Sequence, residues 1–396
     1  MQLGLKALRS VALAQVQRGT AGCGRRFSLS LLEGGRSLRG AGSSSPTSSS
    51  WDRRSTTTTT TTSTRLHSWA QSQRRVLSSS VAAEEESYDF AQGDEEEAES
   101  MAEAVFVHNN KRVPFPYQST QDFLLLGKRG AYTTARSVDR KAVFEFEAHV
   151  ERLVKTTKLM LEAEGRTQEF ISSHDDLLSY DTLRPKIVDS ISCGMKAFAA
   201  QNGDQEMKII VLMTWESDGF DIYTLIVALG ERPSQPVKVQ IGGKPRENAL
   251  AKDSEWIRQR RELELARPED CNEVILVDDA GRLFEGLQTN FYVLKDNQIQ
   301  TAGHGILEGT VRKLLLEECE KENVGVVLDP PNMADLETWQ GVFISSTSRL
   351  LLPVSEIIYT EDGVEKKKSF APLDPLVVDL ERLILDRYRE ESTSLV

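Results

Sequence analysis

The 396-residue chain is poor in the residues that staple folds or bind metals. It has four cysteines, Cys23, Cys193, Cys271 and Cys319, and they lie far apart. There is no Cys-x-x-Cys pair and no Cys/His cluster. Neither a zinc site nor a disulfide framework is suggested, so no metal is expected, and the pattern points to a reducing compartment. No apolar run approaches the roughly 18 residues that a membrane-spanning helix needs, so a soluble protein without membrane contact is expected. A surplus of positive charge is lacking too. The formal net charge is −12, which argues against a nucleic-acid-binding body. What is present is core material: 39% hydrophobic residues, enough for one large or two medium domains.

A second shortage is local. Residues 1–80 hold twelve Lys/Arg but only two acids, Glu33 and Asp52. This segment is therefore +10, and residues 81–396 carry −22 of the total. The segment is rich in Arg, Ser, Thr and Gly and includes an unbroken threonine run, Thr56–Thr62. Its start, "LKALRSVALAQVQR", can form a basic amphipathic helix. That composition is that of an organellar transit peptide, with processing expected near Leu77–Ser80. A mitochondrion is the expected destination and a plastid the alternative; a disordered tail without an address is the less favoured explanation. Residues 81–102 read as an acidic flexible segment.

The rest alternates strands and helices. "AVFVHNNKRVPF" predicts a hairpin with an Asn-Asn turn. An apolar stripe of Val150, Leu153, Val154, Thr157, Met160 and Leu161 predicts a helix over 147–161. Further helices are expected over about 184–200, 309–322 and 373–388. "KIIVLMTW", "DIYTLIVALGE", "VKVQIG", "EVILVDD" and "GVFISSTSRLLLPVSEI" read as strands, with "ERPSQP" (231–236) as a linker. The run Leu283–Leu294 reads as buried strand, yet Glu285 and the pair Thr289-Asn290 interrupt it. A carboxylate in an apolar run is costly unless a positive group meets it. Arg282 is one such group nearby in the sequence.

Several fragments together resemble the class IV aminotransferase family, over roughly residues 104–360. The family includes branched-chain and D-amino-acid aminotransferases and aminodeoxychorismate lyase. The fragments are "NALAKDSEW", "EGLQTNFYV", "AHVERL", "LEGTVR" and "SSTS". The resemblance implies an α+β, two-domain fold of type IV: a small N-terminal α+β domain (103–232) and a larger barrel-like C-terminal domain (233–390). It implies pyridoxal 5′-phosphate in the cleft between them and a homodimer.

The resemblance also assigns roles. Lys252, which precedes Glu285 by 33 positions, is the implied Schiff-base lysine. Its chemistry needs an amine that can be neutral; taken alone, a lysine in such a polar segment is a solvated surface residue. Glu285, in the motif E-G-x-x-x-N-x-F/Y with Asn290, is implied to pair with the cofactor's pyridine nitrogen, so that the positive group arrives with the cofactor. Arg152 matches the phosphate-binding arginine of H-x-x-R-L; its planar fork suits phosphate oxygens. Gly309, Thr310 and Val311 are implied to present a helix N-terminus to the phosphate, with Thr347 as a hydroxyl donor. Here Thr310 precedes Val311, whereas the family's threonine follows an isoleucine, so one hydroxyl contact is shifted or lost.

The substrate side points two ways. "GAYTTARSVDRKAVF" resembles the lyase segment F-T-T-A-R, with Tyr132 in place of Phe. Thr133 or Thr134 is then the implied catalytic hydroxyl, and Tyr132 and Arg136 are candidate substrate contacts. Thr-Thr in a strand is also ordinary β chemistry. The flank "DSEWIRQRRELELARP" resembles neither enzyme. Trp256 is a candidate substrate-side aromatic. Arg258, Arg260 and Arg261 could attract a substrate carboxylate or pair with Glu255, Glu262 and Glu264. The expected activity is transamination between an amino acid and a keto acid. The alternatives are the lyase reaction, giving p-aminobenzoate and pyruvate, and a catalytically inactive cofactor-binding homologue.

Overall fold

The computed structural model describes residues 103–166, 178–216 and 219–396. The transit-peptide expectation (1–80) and the acidic segment (81–102) lie outside the described residues. Two sheets organise the rest. The first holds β1 (Val105–His108), β2 (Lys111–Val113), β3 (Ala131–Val138), β4 (Ala142–Phe144), β5 (Met207–Glu216) and β6 (Gly219–Ala228). The second holds β7 (Val237–Ile241), β8 (Glu273–Val277), β9 (Leu283–Gly286), β10 (Asn290–Lys295), β11 (Gln298–Gln300), β12 (Gly325–Val327), β13 (Gly341–Ser346), β14 (Leu350–Glu361) and β15 (Val364–Ser369). A last strand, β16 (Ser392–Ser394), returns to pair with β4, so the first sheet runs β16-β4-β3-β5-β6-β1-β2.

Turn chemistry sets the first hairpin. Asn109 and Asn110 both take positive φ, 46° and 64°, the conformation that a two-residue turn of matching twist requires. Period-two alternation then gives the sheet two apolar faces. Ile209, Val211 and Met213 of β5 face one way. There they meet the helices α2 (Phe146–Ala163) and α3 (Tyr180–Asn202) through Val150, Leu153, Ile187, Ile191 and Phe198. Ile210 and Leu212 face the other way, against Phe123 and Leu124 of α1 (Thr120–Leu126) and Tyr132. Helix α3 starts four residues earlier than expected, because the Ser179 side chain accepts the Thr182 N–H at 3.2 Å and caps it.

The second sheet closes on itself. The order β10-β13-β14-β7-β8-β9 ends with β9 pairing back to β10, giving a six-stranded barrel in agreement with the barrel-like expectation. Val239, Ile275, Phe291, Ile344 and Leu352, one from each of five strands, share a single apolar cluster with Leu283 of the sixth. Each such side chain contributes roughly 1.5–3 kcal/mol of burial free energy, so the barrel is a packed core and its end is where chemistry can sit. Helices α4 (Glu255–Gln259), α5 (Arg261–Ala266) and α6 (Thr310–Lys321) follow in the chain. Helix α7 (Pro375–Arg387) packs Val377, Leu380 and Ile384 on the outside of the barrel.

Candidate active site

A cavity of about 540 Å³ is lined by residues of both sheets, among them Tyr132, Arg152, Lys252, Glu285, Asn290 and Thr347. Each side chain arrives for a local reason. The motif around Glu285 is a hairpin: Gly286 N–H donates to the Thr289 carbonyl at 2.7 Å, and Glu285 stands opposite Asn290 in antiparallel register. Asn290 in turn stands opposite Ser345 of β13. Thus Glu285, Asn290 and Ser345 form one row across the barrel end. Asn290 Nδ2 donates to the Leu307 carbonyl at 2.7 Å, and Leu307 N–H donates to Glu285 Oε2 at 2.9 Å. A Cβ on Gly309 would meet Asn290 Oδ1 at 2.2 Å, so only glycine fits against that amide.

The positive group beside Glu285 belongs to the chain itself, contrary to the expectation that only a cofactor supplies one. Arg246 reaches Glu285 Oε1 with Nε at 2.9 Å and Nη2 at 2.8 Å. Its Nη2 also donates to the Ala249 carbonyl at 2.8 Å, and its guanidinium lies 5.1 Å from the centre of the Trp256 ring. Arg282, the sequence neighbour, pairs instead with Asp278 at 2.7 Å. Burial raises the Glu285 carboxyl; Arg246 and the Leu307 N–H oppose that rise. A carboxylate has about four acceptor sites, and these contacts fill three, leaving room for one more donor.

Lys252 is held by its backbone. Its carbonyl accepts Tyr132 N–H at 2.9 Å, and its own N–H donates to Thr156 Oγ1 of α2 at 3.2 Å. Ser254 N–H donates to the Gly130 carbonyl at 3.0 Å, and Asp253 pairs with Arg129 at 3.0 and 3.1 Å. Residues 252–254 thus extend the free edge of β3 in antiparallel fashion. The amine lies 4.8 Å from the centre of the Tyr132 ring. Its proton affinity is lowered well below that of an ordinary lysine, first by enclosure and then by Arg152, Arg260 and Arg246, with Glu285 in partial opposition.

At the other end, Gly309 is the N-cap of α6 and no side chain caps it. The first amides of this helix are therefore open to an anion. Thr310 Oγ1 and Thr347 Oγ1 are 2.9 Å apart, which is where the shifted threonine's hydroxyl goes. Val311 buries its side chain in the core with Leu314 and Leu315, so only its amide can serve such a site. Arg152 Nη2 donates to the Glu308 carbonyl at 2.8 Å beside this helix start.

The Thr-Ala-Arg segment divides by strand parity. Tyr132 and Thr134 line the cavity. Thr133 points to the other face, is buried, and meets His149 Nδ1 at 2.7 Å. Arg136 does not line the cavity: Nη1 donates to the Ser348 carbonyl at 3.2 Å and the guanidinium stacks 5.0 Å from the Tyr388 ring centre. Trp256 lines the cavity with its Nε1 tied to the Leu287 carbonyl at 2.8 Å. Of the basic cluster, Arg258 pairs with Glu255, and Arg260 turns inward to line the cavity while facing Glu264 at 2.9 Å. Arg246 and Arg260 are the site residues that motif reading passes over or leaves undecided.

A closed barrel beside a helix-backed sheet, with a lysine, a buried glutamate and an open helix start around one cavity, defines a class of fold and site. Comparison gives that class its name. The family model described as Amino-transferase class IV matches residues 130–357, and the chain belongs to this family. A putative branched-chain-amino-acid aminotransferase of Methanocaldococcus jannaschii is 32% identical over 88 residues, which is 22% of this chain and only 31% of that relative. Among solved structures, a branched-chain aminotransferase from Thermoproteus uzoniensis, solved with norvaline, gives a TM-score of 0.56 at 14% identity, covering 74% of this chain and 99% of that one. A putative branched-chain amino acid aminotransferase from Thermotoga maritima gives 0.53 at 21% identity, covering 72% and 96%. A hypothetical aminotransferase from Mycobacterium tuberculosis, in its PLP-bound form, gives 0.55 at 18% identity, covering 72% and 98%. At these identities the structural likeness speaks for the fold.

Proposed function

We propose that this protein is a pyridoxal-phosphate-dependent aminotransferase that moves an amino group between an amino acid and a keto acid. One observation carries the reading: Lys252, Glu285 and the uncapped start of α6 face a single cavity. The residues present fit the cofactor. The open amides of α6, the Thr310 and Thr347 hydroxyls and Arg152 would hold its phosphate, and the remaining acceptor site on Glu285 would take its ring N–H. When bound, the cofactor supplies an aldehyde and a ring that accepts electrons from the substrate carbon.

The chain's own part follows from its electrostatics. Enclosure and the neighbouring arginines shift the Lys252 amine toward its neutral form, so its nitrogen can take a proton from the substrate α-carbon and hold it for return. Arg246 favours the anionic form of Glu285 against the effect of burial, and that carboxylate would stabilise a positive ring nitrogen more strongly than water does. The Tyr132 ring lies 4.8 Å from the amine and covers one side of it.

The lyase reaction is the second reading, favoured by Thr134, which lines the same cavity as Lys252. Mitochondrial import, with a plastid as alternative, and a homodimer belong to the same proposal. They rest on the basic, acid-poor first eighty residues and on the family resemblance. The test is the visible spectrum of the pyridoxal-phosphate-loaded full chain before and after a panel of amino acids, beside Lys252→Ala. An absorption band that is absent in the variant and bleaches with an amino acid supports transamination. A band that persists with every amino acid, with pyruvate released from aminodeoxychorismate, favours the lyase. A spectrum identical in the variant overturns both.

A further inference from the structure

Among the described cations that line the cavity, most are already spoken for. Arg246 is consumed by Glu285 and two backbone carbonyls. Arg349 faces Asn272 and Glu273, Arg267 donates to the Cys271 carbonyl, and Lys208 is engaged as well. Arg260 differs. It is 8% exposed, yet only Nη1 makes a directed bond, to the Leu287 carbonyl at 3.2 Å. Its Nε lies 2.9 Å from Glu264 Oε1 but has no hydrogen-bond partner in proper alignment. Glu264 is itself divided: Gln288 donates to Oε1 at 2.9 Å and Gln121 to Oε2 at 3.2 Å. A guanidinium carries five N–H donors, and buried donors are nearly always filled. Arg260 thus lines the same cavity as Lys252 with donors that no aligned hydrogen bond fills.

We propose that Arg260 receives the carboxylate of the amino or keto acid, with Glu264 as its competitor while the site is free of substrate. The proposal rests on the transaminase reading for the identity of the anion. A second effect goes with it: Arg260 is one of the charges that lower the proton affinity of the Lys252 amine, so a bound carboxylate would offset that charge as the substrate arrives. The exchange of Glu264 for a ligand carboxylate keeps Arg260 paired in both states, while the displaced Glu264 retains the Gln288 and Gln121 donors.

Two arms test it. In the first, the pyridoxal-phosphate-loaded protein is titrated with propionate and, separately, with uncharged propionamide, following the visible band. For Arg260→Met the expected result is propionate binding at least tenfold weaker, with propionamide and cofactor affinity within threefold of wild type. Arg260→Lys is expected to recover part of the loss, and Glu264→Gln to bind propionate more tightly than wild type. A purely structural ion pair predicts that Glu264→Gln and Arg260→Met lose stability together without opposite shifts in propionate binding; that outcome, or equal propionate binding in Arg260→Met, or no response of the wild-type band to propionate, overturns the proposal. The second arm needs no cofactor. In the apo-protein, acetic anhydride labelling of Lys252, read by peptide mass spectrometry against exposed Lys244, is expected to slow several-fold in Arg260→Met. Unchanged labelling would remove Arg260 from the vicinity of the amine. A wild-type band independent of Lys252 would instead overturn the transaminase reading while leaving the labelling arm to decide on Arg260.

Discussion

Replacing Arg246 by Met would isolate a charge and measure how Glu285 is held. The two side chains are 8% and 5% exposed, so water cannot take over from the lost partner. Breaking a buried pair in this way costs about 3–5 kcal/mol. Protonation sets a ceiling, because the stranded carboxylate can neutralise itself at about 1.4 kcal/mol per pH unit above an ordinary glutamate value of about 4.3. The ceiling is therefore about 3.7 kcal/mol near pH 7 and about 1.6 kcal/mol near pH 5.5. Glu285 retains the Leu307 N–H, so the measured loss should sit just under these limits. The sign follows from a carboxyl whose folded-state proton affinity is raised: the penalty is absent in acid and grows as pH rises past the unfolded value. Urea unfolding of the apo-protein, wild type against Arg246→Met, would read it at both pH values. The double variant Arg246→Met/Glu285→Gln should recover most of the loss near pH 7. A loss that is independent of pH, or that persists in the double variant, would refute the idea that Arg246 serves chiefly to keep Glu285 ionised.

Other expectations are more direct. Lys252→Ala should abolish turnover; activity equal to wild type would remove Lys252 from the chemistry. Glu285→Gln should keep a bound cofactor but slow proton removal sharply, which single-turnover kinetics with α-deuterated substrate would show; unchanged kinetics would remove the ring-nitrogen role. Gly309→Ala should cost about 1–3 kcal/mol in stability or weaken cofactor binding by a comparable factor, since its Cβ must displace Asn290 Oδ1 from 2.2 Å; calorimetry and equilibrium dialysis measure the two. Arg129→Met should lower kcat with little change in cofactor affinity, because Asp253 then loses its partner and the Lys252 segment loosens while the start of α6 is untouched; a cofactor affinity that falls as far as kcat would contradict this division.

Much of this site is legible in the amino-acid sequence. Lys252, Glu285, Arg152 and the 307–312 segment sit in contiguous words whose spacing carries meaning, and the hairpin at Asn109-Asn110 follows from the φ preference of asparagine. What escapes such reading depends on partners far apart in the chain. Arg246 meets Glu285 across 39 positions, and nothing in "GGKPREN" marks that arginine. Arg282, three residues from Glu285, is equally able by sequence, but a tight turn gives it to Asp278. The Arg258-Arg260-Arg261 cluster stays ambiguous as letters, because the three arginines lie on and between two short helices, and only packing decides which turns inward. Thr133 and Thr134 are equivalent as letters too; strand parity separates them. The return of Ser392–Ser394 to the first sheet leaves no periodic signal in three residues.

The edge pairing of residues 252–254 with β3 has a mechanical consequence. Lysine and glutamate reside on the same side of the 229–236 connection in sequence, yet the lysine is fastened to the sheet on the other side. Any motion that parted the two sheets would have to shear the Tyr132–Lys252 and Ser254–Gly130 bonds first, and would drag the amine away from Glu285. The cavity should therefore behave as a braced frame rather than a hinged jaw. The amides of Tyr132 and Ser254 should be among the slowest to exchange hydrogen for deuterium, and substrates should enter and leave by loop movement while the frame stays shut.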